Sequence, residues 1–175
     1  MRKLSIIAVV FVTGLTANTA SAQLSGATTL NVTLAATQSI TVNNPTVALN
    51  FGSSANYLSG VNAEQADHLT FASTSGFTIS ASASGDLTGG TGGAIPISTV
   101  KITPTPGSLD ESLGGTATAI DLSTAVVPIY TSGTKTTGGT TQASLDVDYR
   151  ASGGTNYLNR TGTFNSTITY TIAPL

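Results

Sequence analysis

Apolar and polar residues alternate along most of this chain, and most regularly at its far end. Across 163–175, Phe164, Ile168, Tyr170 and Ile172 share one parity while Thr163, Asn165, Thr167, Thr169 and Thr171 share the other. Successive side chains of an extended backbone point to opposite faces, so a period of two predicts a strand with one buried face. Pro174 has no amide hydrogen, which places the end of that strand's ladder there. The same alternation predicts strands carrying Leu30, Val32 and Leu34, then Ile40 and Val42, then Val47, Leu49 and Phe51. Leu69 and Phe71 open another strand, and Phe77, Ile79, Ala81 and Ala83 mark the next.

Farther along, Ile95 and Ile97 fall on one parity and Val100 and Ile102 on the other, which predicts a bulge near Ser98 and Thr99. Pro128 confines the short strand 126–130 to an edge or a bulge. Leu145, Val147 and Tyr149 alternate with Asp146, Asp148 and Arg150, a two-faced strand. Asn43-Asn44-Pro45, Gly52, the glycines of 85–93, Pro104 to Gly107 and Gly153-Gly154 separate these runs as turns. The polar stretch 53–67 reads as a long loop and 108–121 as a connection. No segment beyond the first 22 residues keeps apolar spacing at three and four, so no helix is predicted there. About nine short strands with turn residues between them predict an all-β chain, a single immunoglobulin-like antiparallel β-sandwich.

The first 22 residues differ in kind. Arg2 and Lys3 precede an apolar run from Leu4 to Val12, and Ala20-Ser21-Ala22 supplies small residues at the A-x-A spacing. That order predicts a secretory signal peptide over 1–22, removed to leave a sandwich domain over 23–175 with no membrane span. The expected location is outside the cytoplasm, secreted or on a bacterial cell surface. The absence of cysteine rules out disulfides and thiol-linked lipid.

Charge narrows the partners. Without the leader, Lys101, Lys135, Arg150 and Arg160 stand against eight carboxylates. An acidic chain of this kind has no basic face for nucleic acid or anionic lipid. Outward strand positions are filled by Thr and Ser instead of charges, which gives a surface indifferent to pH and salt.

Candidate chemistry is sparse. His68 is the single histidine and reads as a solvated loop residue beside Asp67; no G-x-S-x-G or H-E-x-x-H pattern occurs. No enzyme and no cofactor are expected. A calcium ion takes six or more oxygens from several residues, and no D-x-[DN]-x-[DN]-G loop supplies them; Asp146 and Asp148, with Asp121 or Asp110 alongside, read instead as outward strand positions near Arg150. Tyr57 and Tyr157 are the tyrosines expected in exposed loops and form the candidate glycan-contact pair. Asn31-Val32-Thr33 and Asn165-Ser166-Thr167 fit the glycosylation pattern and are assigned no role.

Two stretches carry a resemblance. Val47-Ala48-Leu49-Asn50-Phe51-Gly52 is similar to the L-x-F-G strand end of the spore coat protein U-like and Csu-type pilin-like subunits, and 161–172 is similar to their final strand. Gly76-Phe77-Thr78-Ile79 and Thr169-Tyr170-Thr171-Ile172 also resemble, in position, the two strands of the WxL cell-wall-binding domain. The first resemblance implies an exported structural or adhesive surface protein, a pilin-like fibre subunit that associates with itself or with related surface subunits. Its implied mechanism is β-strand addition, with 27–34 donated to a neighbour and Leu30, Val32 and Leu34 filling the groove. The alternative use of that segment is as the first strand of its own sandwich. The second resemblance implies a module that binds peptidoglycan or another cell-wall or host glycan through residues such as Tyr57 and Tyr157.

Overall fold

A computed structural model of the chain describes residues 26–109, 114–132 and 142–175. The expected leader, 1–22, lies outside them, as do Asp110 and Lys135. By its internal contacts the chain divides after Thr33. Residues 26–33 carry no regular secondary structure; the β-structure belongs to 34–175.

Two antiparallel sheets make up that unit. In the first, the strands β1 (Gln38–Val42), β2 (Val61–Ser73), β4 (Val100–Pro106), β6 (Ile120–Asp121) and β8 (Ala143–Ala151) are ordered β1-β2-β8-β4-β6. In the second, β3 (Phe77–Ala83), β5 (Thr116–Ala117), β7 (Val127–Thr131) and β9 (Ile168–Pro174) are ordered β5-β7-β3-β9. β2 and β3 are consecutive yet lie in opposite sheets, so the chain is an immunoglobulin-like all-β sandwich, as the alternation predicts. Their inward parities meet in the middle: Leu69 and Phe71 from β2, Phe77 and Ile79 from β3, Ile102 from β4, Ile129 from β7, and Leu145 and Val147 from β8 are all fully buried. Phe71, Phe77 and Tyr130 form an aromatic cluster with ring centroids 5.2 to 6.2 Å apart.

The prolines sit where a ladder tolerates them. Pro128 lies at a register shift between β7 and β3, where Ile79 pairs with Tyr130 and Ser80 with Pro128. Pro104 and Pro106 lie within β4, past the two residues paired by β6, where β4 has become an edge among the described residues. Pro174 is the last residue of β9 in register, opposite Phe77.

Four sequence expectations are corrected. Residues 28–34 form no strand of their own sandwich; the first ladder begins at Gln38. The expected loop 53–67 holds a short helix, α1 (Ser54–Ser59), and the start of β2. That helix is closed by a reciprocal cap, Asn56 N–H donating to Ser53 Oγ at 3.4 Å and Ser53 N–H to Asn56 Oδ1 at 3.0 Å. One capped turn is too short to show a helical period. The parity change near Ser98 is a 3₁₀ turn at Ile97–Thr99 rather than a bulge. Finally, the connection 108–121 carries β5 and β6, each two residues long.

Candidate functional site

β1 runs along β2 from the Gln38–Ser73 pair to the Val42–Leu69 pair. Asn43 closes that ladder: its N–H donates to the His68 carbonyl at 2.8 Å, and its Nδ2 donates to the Asp67 carbonyl at 2.6 Å and to Thr70 Oγ1 at 2.7 Å. Pro45 follows, with no N–H to give. From there to Gly52 the chain is in no ladder, although Val47, Leu49 and Phe51 still alternate inward and pack on the core while their neighbours are exposed.

On the opposite side, β9 is the edge of its sheet and, among the described residues, pairs with β3 alone. The residues before it form no strand; they are tied to 84–91 by isolated bridges, Thr88 with Asn165 and Thr91 with Thr161, and by the Ser84 N–H donating to the Thr167 carbonyl at 2.8 Å. Between 43–52 and 160–168 the sandwich is open, and a groove of about 830 Å³ enters its interior. The floor is apolar: Leu87, Ile95, Ile97, Val100 and Leu122. Its far end is framed by Phe51, stacked on Tyr157 at 4.4 Å and tilted against Tyr57 at 5.3 Å. Arg160, three residues on from Tyr157, also lines the groove, donating from Nε to the Gly93 carbonyl at 3.2 Å and from Nη2 to that of Ala94 at 3.1 Å.

The near end of the groove is lined by His68, and β2 had to be distorted to put it there. Gln65 pairs with Val147 and Leu69 with Leu145, so β2 spends two more residues than β8 over this interval. A regular strand sends neighbours to opposite faces, yet His68 and Leu69 are both buried, at 1% and 0% exposure. The bulge re-aims the imidazole inward. Asp67 anchors the bulge with φ at 45°. Its carboxylate accepts from Ser108 N at 2.8 Å and from the Ser108 and Ser144 hydroxyls at 2.5 Å each, and its own N–H donates to Asp146 Oδ1 at 2.7 Å. The Ser108 and Ser144 hydrogen bonds hold its carboxyl below the usual range. Gly107 leaves room for this knot, since a Cβ there would strike the Ser144 hydroxyl and the Asp67 carboxylate.

His68 Nε2 lies 2.7 Å from the Tyr149 hydroxyl, which lies 2.5 Å from that of Tyr170. This polar chain joins β2 and β8 to β9, one sheet to the other. Burial lowers the His68 pKa below the ordinary imidazole value and pushes Tyr149 up to about 12; burial, with Tyr149 alongside, raises Tyr170 further.

The residues singled out from sequence fall as follows. Leu30, Val32 and Leu34 are 84%, 71% and 88% exposed. The expected exposed pair of tyrosines is corrected: Tyr157 is buried, its hydroxyl 2.7 Å from Thr99 Oγ1, and Tyr57 is half-buried against Phe51. A pyranose ring therefore finds no free platform between them. Asp146 is committed to the Asp67 N–H, and Asp121 faces Lys101 across β4 and β6. Among the described residues no three His, Asp or Glu side chains converge as metal ligands, and no helix is long and apolar enough to cross a membrane. His68 is the site residue that sequence reasoning misplaced. The signal that could have found it is Asp67, a residue tolerant of positive φ inside an otherwise strand-like run. No protein-family model matches the chain, and no curated protein matches it.

Proposed function

We propose that this protein is an exported structural subunit of a bacterial surface fibre, and that it assembles by accepting a strand from a neighbour into the groove between 43–52 and 160–168. One observation carries the reading: an open groove with an apolar floor lies between 43–52 and 160–168, two stretches outside any ladder up to Thr167, and reaches Ile168 at the start of the edge strand β9. An edge strand offers unpaired main-chain groups to any extended segment that reaches it. A segment with one apolar parity gains ladder hydrogen bonds from that edge and buries its side chains on the floor.

The chain carries such a segment. Leu30, Val32 and Leu34 share a parity, stand almost fully exposed, and precede the first ladder. Three exposed aliphatic side chains on one face of an extended segment support the reading, since a contiguous apolar stripe favours a partner. The test is electron microscopy and gel filtration of the exported protein, intact and with 23–34 deleted. Filaments from the intact chain and a folded monomer from the deletion are the expected results. Filaments that persist without 23–34 overturn the donor role of that segment, and a chain that stays monomeric when intact overturns the fibre reading.

A further inference from the structure

His68 presents the groove with a need that an apolar occupant leaves unanswered. Its Nδ1 is buried and has no hydrogen-bond partner among the described residues. The other nitrogen is engaged by Tyr149, and Tyr149 by Tyr170. Counting donors and acceptors assigns the tautomer. If Tyr170 donates to Tyr149 and Tyr149 donates to Nε2, one group is left over, the Nδ1 proton. If Nε2 donates instead, two are left over, the Nδ1 lone pair and the Tyr170 proton. The first arrangement leaves fewer buried groups unmade and prevails. What the near end of the groove lacks is an acceptor.

Resting on the strand-addition reading, we infer that the incoming strand carries a hydroxyl in its groove-facing row to accept from His68 Nδ1, and that the strand is 28–36 of a second copy with Thr28 in that place. Thr28 has the parity of Leu30, Val32 and Leu34, so it faces the groove with them. Direction agrees with parity. Tyr170 ties the start of β9 to the His68 end, and Arg160 is three residues on from Tyr157, which frames the far end. A strand antiparallel to 160–168 therefore enters with its N-terminal end at His68, which puts Thr28 by the imidazole and the three aliphatic side chains over the apolar floor. The eight steps from 28 to 36 match the eight from 168 to 160.

The same chain cannot supply this strand to itself. Thr37 N–H donates to Thr74 Oγ1 at 2.8 Å and Thr74 N–H to the Thr37 carbonyl at 3.0 Å, which pins residue 37 beyond the Ser73 end of β1 and β2. Residue 36 is one peptide, about 3.8 Å, from that point. In the antiparallel register its place is at the Arg160 end, on the other side of His68. The donor is a second molecule.

The experiment uses the full chain with Val32→Asp, an exposed change that blocks self-donation, and a fluorescent peptide of residues 27–36. The parent peptide binds, and the same peptide with Thr28→Val binds about tenfold more weakly, the scale of one buried hydrogen bond lost. In a His68→Phe background the two peptides bind alike. Should that variant fail to fold, the imidazole nitrogen resonances of the native His68 decide, since Nδ1 shifts with the parent peptide and not with the valine one. Equal affinity and equal nitrogen shifts overturn the His68 pairing while the groove reading stands. Binding by neither peptide overturns both.

Discussion

The two ends of the sandwich interior have similar aromatic content and opposite fates. At one end Phe71, Phe77 and Tyr130 are sealed, with β1 laid along β2 in an unbroken five-residue ladder. At the other, Phe51, Tyr57 and Tyr157 are in contact as close or closer, yet Phe51 and Tyr57 remain half-buried beside an open groove. The difference is a backbone partner. Up to Asn43 the first strand is hydrogen-bonded to β2; from Pro45 to Phe51 it is in no ladder among the described residues, and its apolar side chains pack on the core. Sheet interiors are closed by strands, and apolar residues at the right parity do not close them unaided.

Truncation in the sealed end sharpens that contrast most. Phe77→Ala should cost about 3–5 kcal/mol in urea denaturation, because Phe77 is fully buried against Phe71 and Tyr130 and its loss leaves a cavity between the sheets. Phe51→Ala at the open end should cost about 1 kcal/mol, in proportion to its smaller buried area. Equal losses would mean the open end is as tightly packed as the sealed one.

Filling the groove should erase the contrast. With the Val32→Asp chain and the 27–36 peptide at a hundred times its dissociation constant, stability should rise by about 2.7 kcal/mol. Hydrogen exchange should slow in 43–52 and 160–168 and stay unchanged in β3. Protection gained in β3 alone would place the peptide elsewhere.

A pH titration reads the junction between the two ends. The folded state holds the His68 pKa below the ordinary 6.5, so the unfolded chain takes up a proton that the folded one refuses. Stability is then full above 6.5 and falls as pH drops below it, by up to about 1.4 kcal/mol per pH unit. Tyr149 works in the other direction: its pKa is raised, so its contribution is whole below pH 10 and is lost as pH rises through about 12. His68→Phe should flatten the acid limb in thermal melts and leave the alkaline limb; an unchanged acid limb would assign it to another group.

The smallest effect on stability should come with the largest on assembly. Leu30→Ser alters an exposed side chain and should shift folding by less than about 0.5 kcal/mol. The same change should lower filament yield measured by sedimentation. A large destabilisation would show that Leu30 is buried within its own subunit.

Most strands were legible because each has a strict two-residue period, as in Phe77 to Ala83 and Leu145 to Tyr149. The helix α1 was not, since six residues closed by Ser53 and Asn56 make less than two turns of pattern. The start of β2 was hidden for a related reason: Ala63 and Gln65 occupy its inward positions and carry little apolar signal. The candidate site was half legible. Val47, Leu49 and Phe51 announced a strand, and nothing in them told that the strand would leave its ladder at Pro45. His68 was misread because its burial depends on a bulge held by Ser108 and Ser144, some forty and seventy-seven positions away.

By itself the sequence determined that this chain would be built from strands with one apolar face, since alternation is a local property and each strand writes its own. Only the tertiary structure decided which strand lies beside which, that β9 would be left as an edge, and that the imidazole of His68 would face the groove between 43–52 and 160–168. Pairing is a relation between distant segments, and the energy that selects it appears only once both are in place.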